Sequence, residues 1–394
     1  MVRNRIRLVT SALALALAAA LIAPAAYASE ASEAWKASQP LKDAIKKAGK
    51  DEAARTEAQK ALQDFAKGKV EVLAAQRGTL SKMDLCYLGL LQAMAGDSQG
   101  GIATLRQAIE KKEETKFGAN IHANLVQALI DAGEPDGAAI EATKMLEIYA
   151  EAKETKTAVM NVGMAYRGAL KFEKSAEWLK KAWDLGNTSS IKPLVNSLLM
   201  AGKKDDAIAA AKLAVEKGIP QMKEDMETLV AITEKIDTDV SGMLAFDAFV
   251  PAGNPEMKDK VVVLGFWNVS SKTFKATLKL LDSIKKGYGE DVTCIAATTY
   301  YKKNAESGKI EESMSPEQER GFGGALAEQE SWRGWMGYLK DQDAVHAWGV
   351  SALPHFVVVS REGKLLFAHT MDFGGGGETD IKILRKVIDG ATGR

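Results

Sequence analysis

Apolar residues between positions 30 and 235 recur at the spacing of amphipathic helices. The region is rich in Ala, Lys, Glu and Leu and contains few prolines. Four of its segments look alike: each has an apolar half, a polar break, and a second half that carries small residues. The four segments are 87–110, 122–146, 161–183 and 193–215. Such self-similarity predicts an array of helix-turn-helix repeats.

The polar breaks recur at a nearly constant interval. When they are aligned on Gly96, Gly133, Leu170 and Gly202, the steps are 37, 37 and 32 residues, which suits helix-turn-helix repeats. The pattern resembles the tetratricopeptide repeat, although the usual early tryptophan is missing and Leu170 replaces a turn glycine. The residues that fit its first helix are Leu88, Gly89, Val162, Gly163 and Tyr166, and those that fit the small positions of its second helix are Ala108, Ala138, Ala182, Ala207 and Ala214.

This resemblance implies a stacked array with an open concave face that can hold a peptide or a partner protein. We therefore expect tetratricopeptide-like repeats over residues 81–235 and capping helices over residues 29–80. Inner-helix positions are the candidate contacts on the concave face, and they include Asn124, Asn161 and Asn196.

The pattern changes near residues 236–245. Three strand-like runs follow, VVVLGFW, DVTCIAATTYY and FVVVS, and the first and last are rich in valine. Helical stretches at 272–286, 316–330 and 380–388 separate or follow these runs. Strands that alternate with helices predict an α/β domain with a partly parallel sheet over residues 240–394.

The first 28 residues have the pattern of an export signal. Three arginines precede the apolar stretch LVTSALALALAAALIA, and Ala26-Tyr27-Ala28 is a small-residue cleavage site. The apolar stretch is short for a membrane span. We expect the mature chain to begin near Ser29 and to be periplasmic or secreted, with no membrane span after cleavage.

Charge and cysteine content narrow the functional classes. The 394-residue chain has 52 Lys+Arg and 52 Asp+Glu, so its formal net charge is zero. Nucleic acid is therefore not expected as the main partner, because duplex binding needs a basic face. Cys86 and Cys294 lie in apolar surroundings and in different predicted domains, so two buried thiols are preferred over a disulfide.

The segment 240–394 resembles a thioredoxin-like domain of the periplasmic thiol-disulfide oxidoreductase or redoxin type. FDAFVPAGNPEMKDKVVVLGFW is similar to the lead-in of that family, with its Phe-Trp at Phe266 and Trp267. WGVSALPHFVVVSREGKLLFAH is similar to the second signature: an aromatic-Gly-Val, a proline, a strand, a tight turn and another strand. The resemblance implies that Pro354 is a cis proline facing the redox pair.

The redox pair itself is absent. An ungapped extension from Phe-Trp places Ser271 and Phe274 at the two cysteine positions, and a shifted register places Asn268 and Ser271 there. Disulfide exchange needs a thiolate, and a serine hydroxyl is a far weaker acid that forms no disulfide. The family's reaction is therefore not expected at this turn.

Other chemistry receives little support from the sequence. Cys294 lies in a predicted core strand, so we expect an unreactive thiol. A Ser271–His355 pair lacks a third orienting group, so no catalytic residue is assigned. The other histidines are scattered, no metal or cofactor is expected, and the glycines at 374–377 are interpreted as a flexible link to a helix capped by Thr379.

An aromatic cluster follows the charged segment 302–320. It contains Trp332, Trp335 and Tyr338, which we expect to be strand residues packed on the core. The alternative is a protein-binding edge that includes Trp267 and Trp348, because Trp and Tyr are enriched at interfaces.

The combined features favour an exported scaffold or adaptor with a redox-inactive thioredoxin-like domain and a protein or peptide partner. Its candidate peptide-groove residues are Trp267, Asn268, Ser271, Phe274, Pro354 and His355. The alternative is a thiol-disulfide oxidoreductase that uses Cys294 or the cysteines of a partner. A purely structural role in the cell envelope is a third possibility.

Overall fold

A computed structural model describes residues 29–49, 51–113, 115–217, 223–268, 271, 273–300, 315–371 and 377–394. The predicted export signal lies outside the described residues. Within those ranges, no helix combines the length and the apolar character needed to cross a membrane.

The first part of the chain folds into consecutive helices joined by short turns. These helices are α1 (Glu30–Ala48), α2 (Glu52–Ala75), α3 (Lys82–Met94), α4 (Ser98–Glu110), α5 (Gly118–Asp131), α6 (Pro135–Ile148), α7 (Lys153–Gly168), α8 (Phe172–Asp184), α9 (Ile191–Met200), α10 (Lys204–Glu216) and α11 (Lys223–Lys235). Neighbouring helices pack on each other, as in α3 with α4, α5 with α6 and α9 with α10.

The four aligned breaks share one backbone conformation. Gly96, Gly133, Leu170 and Gly202 all have positive φ, at 92°, 77°, 56° and 73°. A residue in this left-handed region commonly ends a helix, and glycine adopts it without a steric penalty. Leu170 thus occupies the glycine position of the third break, which explains why the sequence aligns there despite the substitution.

Small residues in this part of the chain let helices approach closely. A Cβ atom on Gly89 would lie 2.9 Å from the carbonyl oxygen of Gly101, and one on Gly101 would lie 2.7 Å from that of Gly89. No side chain fits at either position without a shift of the backbone. The five alanines expected at close-packing positions, Ala108, Ala138, Ala182, Ala207 and Ala214, are all buried.

The chain divides into two compact units. Among the described residues, those from 29 to 166 and from 181 to 187 belong to the first unit, and those from 167 to 180 and from 188 to 394 belong to the second. Helices α9, α10 and α11 therefore belong to the same compact unit as the sheet, although the sequence pattern groups them with the preceding helices.

The second unit contains one mixed six-stranded sheet. Its strands are β1 (Ala248–Val250), β2 (Val261–Phe266), β3 (Val292–Thr299), β4 (Trp335–Leu339), β5 (His355–Val359) and β6 (Leu365–Thr370). Their spatial order is β1-β4-β3-β2-β5-β6. Strands β2, β3 and β4 are parallel, whereas β1, β5 and β6 pair antiparallel with their neighbours. The predicted partly parallel sheet is confirmed.

Helices cover both faces of this sheet. The remaining helices are α12 (Phe274–Tyr288), α13 (Pro316–Gln329), α14 (Gln342–His346) and α15 (Gly377–Thr392). Val261 and Val263 of β2 belong to the core formed with α12 and α15. Val262 and Leu264 belong to the opposite core, which includes Ile232 of α11. The continuous apolar run of β2 thus reflects burial on both faces.

The expectation of a helical part followed by an α/β part is confirmed. Helices were expected over 272–286, 316–330 and 380–388, and α12, α13 and α15 lie there. The expected cap at Thr379 is wrong, because α15 already includes Gly377 and Thr379 therefore lies inside the helix. Most of the glycine run before it lies outside the described residues.

Candidate functional site

The turn after β2 begins with a buried aromatic pair. Trp267 follows the strand directly, and its ring lies 4.5 Å from the ring of Phe274, measured between centroids. The backbone N–H of Trp267 donates to the carbonyl oxygen of Ala297 at 3.1 Å, which extends the pairing of β2 and β3 by one residue. Both aromatic side chains are buried in the core beneath α12.

Two backbone hydrogen bonds join the described residues between Trp267 and α12. The N–H of Ser271 donates to the carbonyl oxygen of Asn268 at 3.0 Å, and the N–H of Phe274 donates to that of Ser271 at 3.2 Å. Each bond joins residues three positions apart. Both cysteine registers considered above therefore place their two positions at the two ends of one such hydrogen bond.

The hydroxyl of Ser271 is engaged within this turn. Its Oγ lies 2.6 Å from the Oγ1 of Thr273 and accepts a 3.2 Å hydrogen bond from the N–H of Thr273. This hydroxyl stabilises the start of α12, which has no hydrogen bond from the side chain of its N-cap residue Thr273.

The Leu353–Pro354 peptide bond is cis, as the resemblance implied. Pro354 is buried, and its carbonyl oxygen accepts a hydrogen bond from the N–H of Met371 at 2.9 Å. The tight turn expected at 361–364 is present, with Gly363 at a φ of 80°.

His355 lies on the opposite face of the sheet from Trp267 and Phe274. Residues 355, 357 and 359 of β5 point to one face, and Val357 and Val359 belong to the core that includes Phe266. The imidazole packs on Phe266 edge to face at 6.0 Å, and its Nδ1 lies 3.0 Å from the hydroxyl oxygen of Thr370. The side chains of Ser271 and His355 therefore make hydrogen bonds to different threonines, Thr273 and Thr370.

Burial separates the six groove candidates into two groups. Trp267, Phe274, Pro354 and His355 are buried, whereas Asn268 and Ser271 are partly exposed. The buried four shape the core around the turn. Asn268 and Ser271 are the members that a peptide can reach in this conformation.

The imidazole of His355 is uncharged at neutral pH. Burial, helped by the nearby His369, lowers the pKa of His355 to about 3, while the backbone of Trp348 acts in the opposite direction. The Nε2 atom is buried and has no hydrogen-bond partner of acceptable geometry within the described ranges.

The two cysteines are free and buried, as expected. Burial raises the pKa of the Cys294 thiol to about 12, and it also raises the pKa of Cys86, opposed by a hydrogen bond from Asn124. Thiols of this kind are largely unreactive at neutral pH. In the described part of the chain, no group of three or more potential metal ligands occurs.

The aromatic cluster is core structure. Trp332 and Tyr338 belong to the same core as Trp267, whereas Trp348 belongs to the core on the opposite face, against which Trp335 packs. The expectation that these side chains pack on the core is confirmed, but Trp332 precedes β4 and is not a strand residue. They form two separate groups rather than one continuous surface.

A buried ionic network was not anticipated from the sequence. The guanidinium of Arg167 donates to the carboxylate of Asp380 at 2.7 Å and to the side-chain oxygen of Asn196 at 3.1 Å. Burial alone would raise the pKa of Asp380, but His369 and Arg167 together lower it to about 2. No local signal links these residues, because they are distant in sequence.

A small cavity beside His355 was also missed. Thr233 lies on its wall, and its position four residues after Leu229 places it on the apolar face of α11. A threonine on an otherwise apolar helix face was the sequence signal available.

No protein-family model matches the chain, and no curated protein sequence matches it. Several solved structures of thioredoxin-like proteins resemble it. A thioredoxin-like superfamily protein shares 13% identity over 41% of this chain and 97% of its own, with a TM-score of 0.31. A thioredoxin-like protein from Porphyromonas gingivalis shares 19% identity over 36% and 88%, with a TM-score of 0.26. The exposed lipoprotein thioredoxin of Streptococcus pneumoniae shares 21% identity over 34% and 86%, with a TM-score of 0.24.

Proposed function

We propose that the chain is an exported protein-binding scaffold whose thioredoxin-like domain, residues 240–394, carries out no redox chemistry. In this proposal residues 81–235 form tetratricopeptide-like repeats, and residues 29–80 cap them. One observation carries the proposal: the turn from Asn268 to Phe274 contains no sulfur, and Cys294, the thiol of the same domain, is buried in β3.

The chemistry of exchange supports this inactivity. A disulfide is cleaved by attack of a thiolate, so the rate depends on thiolate fraction and access. Cys294 has a pKa raised to about 12 and is 3% exposed, so it meets neither condition. The hydroxyl of Ser271 stabilises the turn and cannot replace the sulfur.

The frame around the turn is suited to holding an extended peptide. Asn268 and Ser271 remain partly exposed at the carboxyl end of β2, which is where open α/β sheets bind ligands. The helical repeats offer Asn124 and Asn161 as further contacts, since both are partly exposed. Asn196 is less available because it is buried and accepts a hydrogen bond from Arg167.

The redox part of the proposal is tested by thiol labelling and insulin reduction with the mature chain. We expect no reductase turnover, and labelling of Cys86 and Cys294 only after unfolding. Cys294→Ala is the control and should behave like the wild type. Turnover that disappears in this variant would overturn the proposal in favour of an oxidoreductase.

Cysteines introduced into the turn after β2 test whether the surrounding structure can support disulfide exchange. The double variant Asn268→Cys/Ser271→Cys places both thiols at partly exposed positions, so we expect it to form a disulfide and to reduce insulin. Ser271→Cys/Phe274→Cys is the matched control, because its second thiol replaces a buried ring and should react more slowly. Activity only in the control would assign the other register to the turn.

Site-specific photo-crosslinking tests the binding part. A photoreactive residue at Asn268 should crosslink a discrete partner in an extract of the exporting compartment. The same residue at Glu290, which is exposed just before β3 and thus at the other edge of the parallel strands, is the control. Equal crosslinking at both positions would contradict binding at the turn.

A further inference from the structure

Three half-buried side chains meet within the first compact unit, across two packed helices. Trp35 and Lys42 lie on α1, and Tyr87 lies on α3, which packs on α1. The Nζ atom of Lys42 lies 3.5 Å from the centroid of the Trp35 ring. The rings of Trp35 and Tyr87 stack, with 5.9 Å between their centroids. These three side chains form the Lys42 cluster.

Helix geometry explains how Lys42 reaches Trp35. The two positions are about two helical turns apart, so their side chains lie on the same face of α1. Long side chains on a helix lean toward its N-terminus, and the lysine side chain therefore extends back over the indole. The face of the ring attracts the ammonium, but the ring has no oxygen that could accept a hydrogen bond from it.

The ammonium of Lys42 has no anionic partner. Within the described ranges it makes neither an ion pair nor a hydrogen bond, whereas Lys36 on the same helix pairs with Glu33 at 3.1 Å. Burial lowers the pKa of Lys42 to about 8, and the like charge of Lys46, one turn further along α1, lowers it as well. Charges that are removed from water are normally paired, so this ammonium is suited to an anion from outside the chain.

A ligand can reach all three side chains, because each is partly exposed. The Nζ of Lys42, the indole Nε1 of Trp35 and the hydroxyl of Tyr87 make no hydrogen bond within the described part of the chain, and none of these atoms is buried. All three can donate, and the ammonium and the indole N–H can only donate. The cluster therefore offers donors, one positive charge and the apolar area of two rings.

A carboxylate balances the single charge of this ammonium, whereas a phosphate group carries up to two negative charges. We propose that the Lys42 cluster binds a peptide segment through a carboxylate on Nζ of Lys42 and an adjacent flat apolar group against Trp35 and Tyr87. This inference rests on the proposed scaffold role and adds a contact on the helices expected to cap the repeats. The experiments on the turn at 268–274 concern the second unit, so either result can fail without the other.

The test follows the indole N–H resonances of the mature full-length chain, and the variant Trp35→Phe assigns the signal of Trp35. N-acetyl-phenylalanine is the probe with a terminal carboxylate, and N-acetyl-glutamyl-phenylalaninamide is the probe with a side-chain carboxylate. We expect a saturable shift of the Trp35 signal with at least one of them, which distinguishes the two sources. N-acetyl-phenylalaninamide keeps the ring and lacks the charge, so it should bind at least about fivefold more weakly.

Matched variants and pH identify the cation. Lys42→Gln should reduce binding of the carboxylate probe to the level of the amide, whereas Lys36→Gln removes a charge that Glu33 already balances and should leave binding unchanged. Affinity should be about tenfold weaker at pH 9 than at pH 7, because an amine with a pKa of about 8 is then mostly neutral, whereas an ordinary lysine with a pKa of ~10.4 stays charged.

Four results would each overturn the proposal: no saturation with either carboxylate probe, equal binding of the amide, unchanged affinity in Lys42→Gln, or equal affinity at pH 7 and pH 9.

Discussion

Acidification below pH 6.5 should destabilise the second compact unit through His355. In the unfolded chain this imidazole has its ordinary pKa of 6.5, whereas in the folded chain the pKa is lowered to about 3. Between these values the unfolded state binds one more proton than the folded state. The contribution of His355 to the free energy of unfolding is therefore fully present above pH 6.5. It is lost progressively as the pH falls towards 3.

The magnitude follows from the size of the shift. One proton of difference changes the free energy of unfolding by about 1.4 kcal/mol per pH unit. Between pH 7 and pH 4.5 the loss from His355 amounts to roughly 2.5 kcal/mol. This is a large part of the ~5–15 kcal/mol by which domains are usually stable. The shifted carboxylates lose their contribution at lower pH, since the pKa of Asp380 is about 2 and that of Glu141 is lowered from 4.5.

Urea unfolding followed by tryptophan fluorescence at several pH values between 7 and 4.5 measures this slope. His355→Gln retains a polar side chain but does not titrate, so its slope should be smaller by about 1.4 kcal/mol per pH unit. Thr370→Val removes the partner of Nδ1 and keeps the imidazole, so it should be less stable with an unchanged slope. A wild-type protein with flat stability over this range, or a His355→Gln variant with the wild-type slope, would refute the reasoning.

Further predictions concern the backbone and the buried ion pair. Gly133→Ala should lower the free energy of unfolding by about 1 kcal/mol, because φ is 77° there although space is open. Gly68→Ala, equally open but inside α2, should raise it by about 0.5–1 kcal/mol; equal effects in urea unfolding would disprove the conformational explanation. Arg167→Met should cost about 3–5 kcal/mol, because it removes the guanidinium that bonds the buried Asp380 at 2.7 Å. The double variant Arg167→Met/Asp380→Leu should recover much of the loss; a double variant no more stable than the single one would contradict this.

Much of the fold was predictable because its signals are local. The run at 261–264 predicts a doubly buried strand, and β2 is one. The break at Leu170 aligned with three glycines because all four positions adopt positive φ. The Ser315–Gln318 capping box likewise marks the start of α13 close to the expected position.

The remainder depends on partners that are distant in sequence. The pattern places a boundary near 236, but α11 contributes Ile232 to one core of the sheet. The sequence pattern of an amphipathic helix predicts that one face is buried, but it does not identify the element that packs on that face. The same limit applies to His355. The four residues that follow it in β5 are all apolar, so no alternation of polar and apolar residues shows which face the imidazole occupies.

The separation of the two sheet faces has a consequence for function. Trp267 and Phe274 support the turn from one face, and His355 reaches the cavity from the other. Substitutions at such separate sites usually have additive effects. Ser271→Ala should therefore lower the crosslinking yield from a photoreactive residue at Asn268 without changing the pH dependence of stability that His355 sets, and His355→Gln should do the reverse. If instead His355→Gln changed the crosslinking yield, the two faces of the sheet would be coupled through β5.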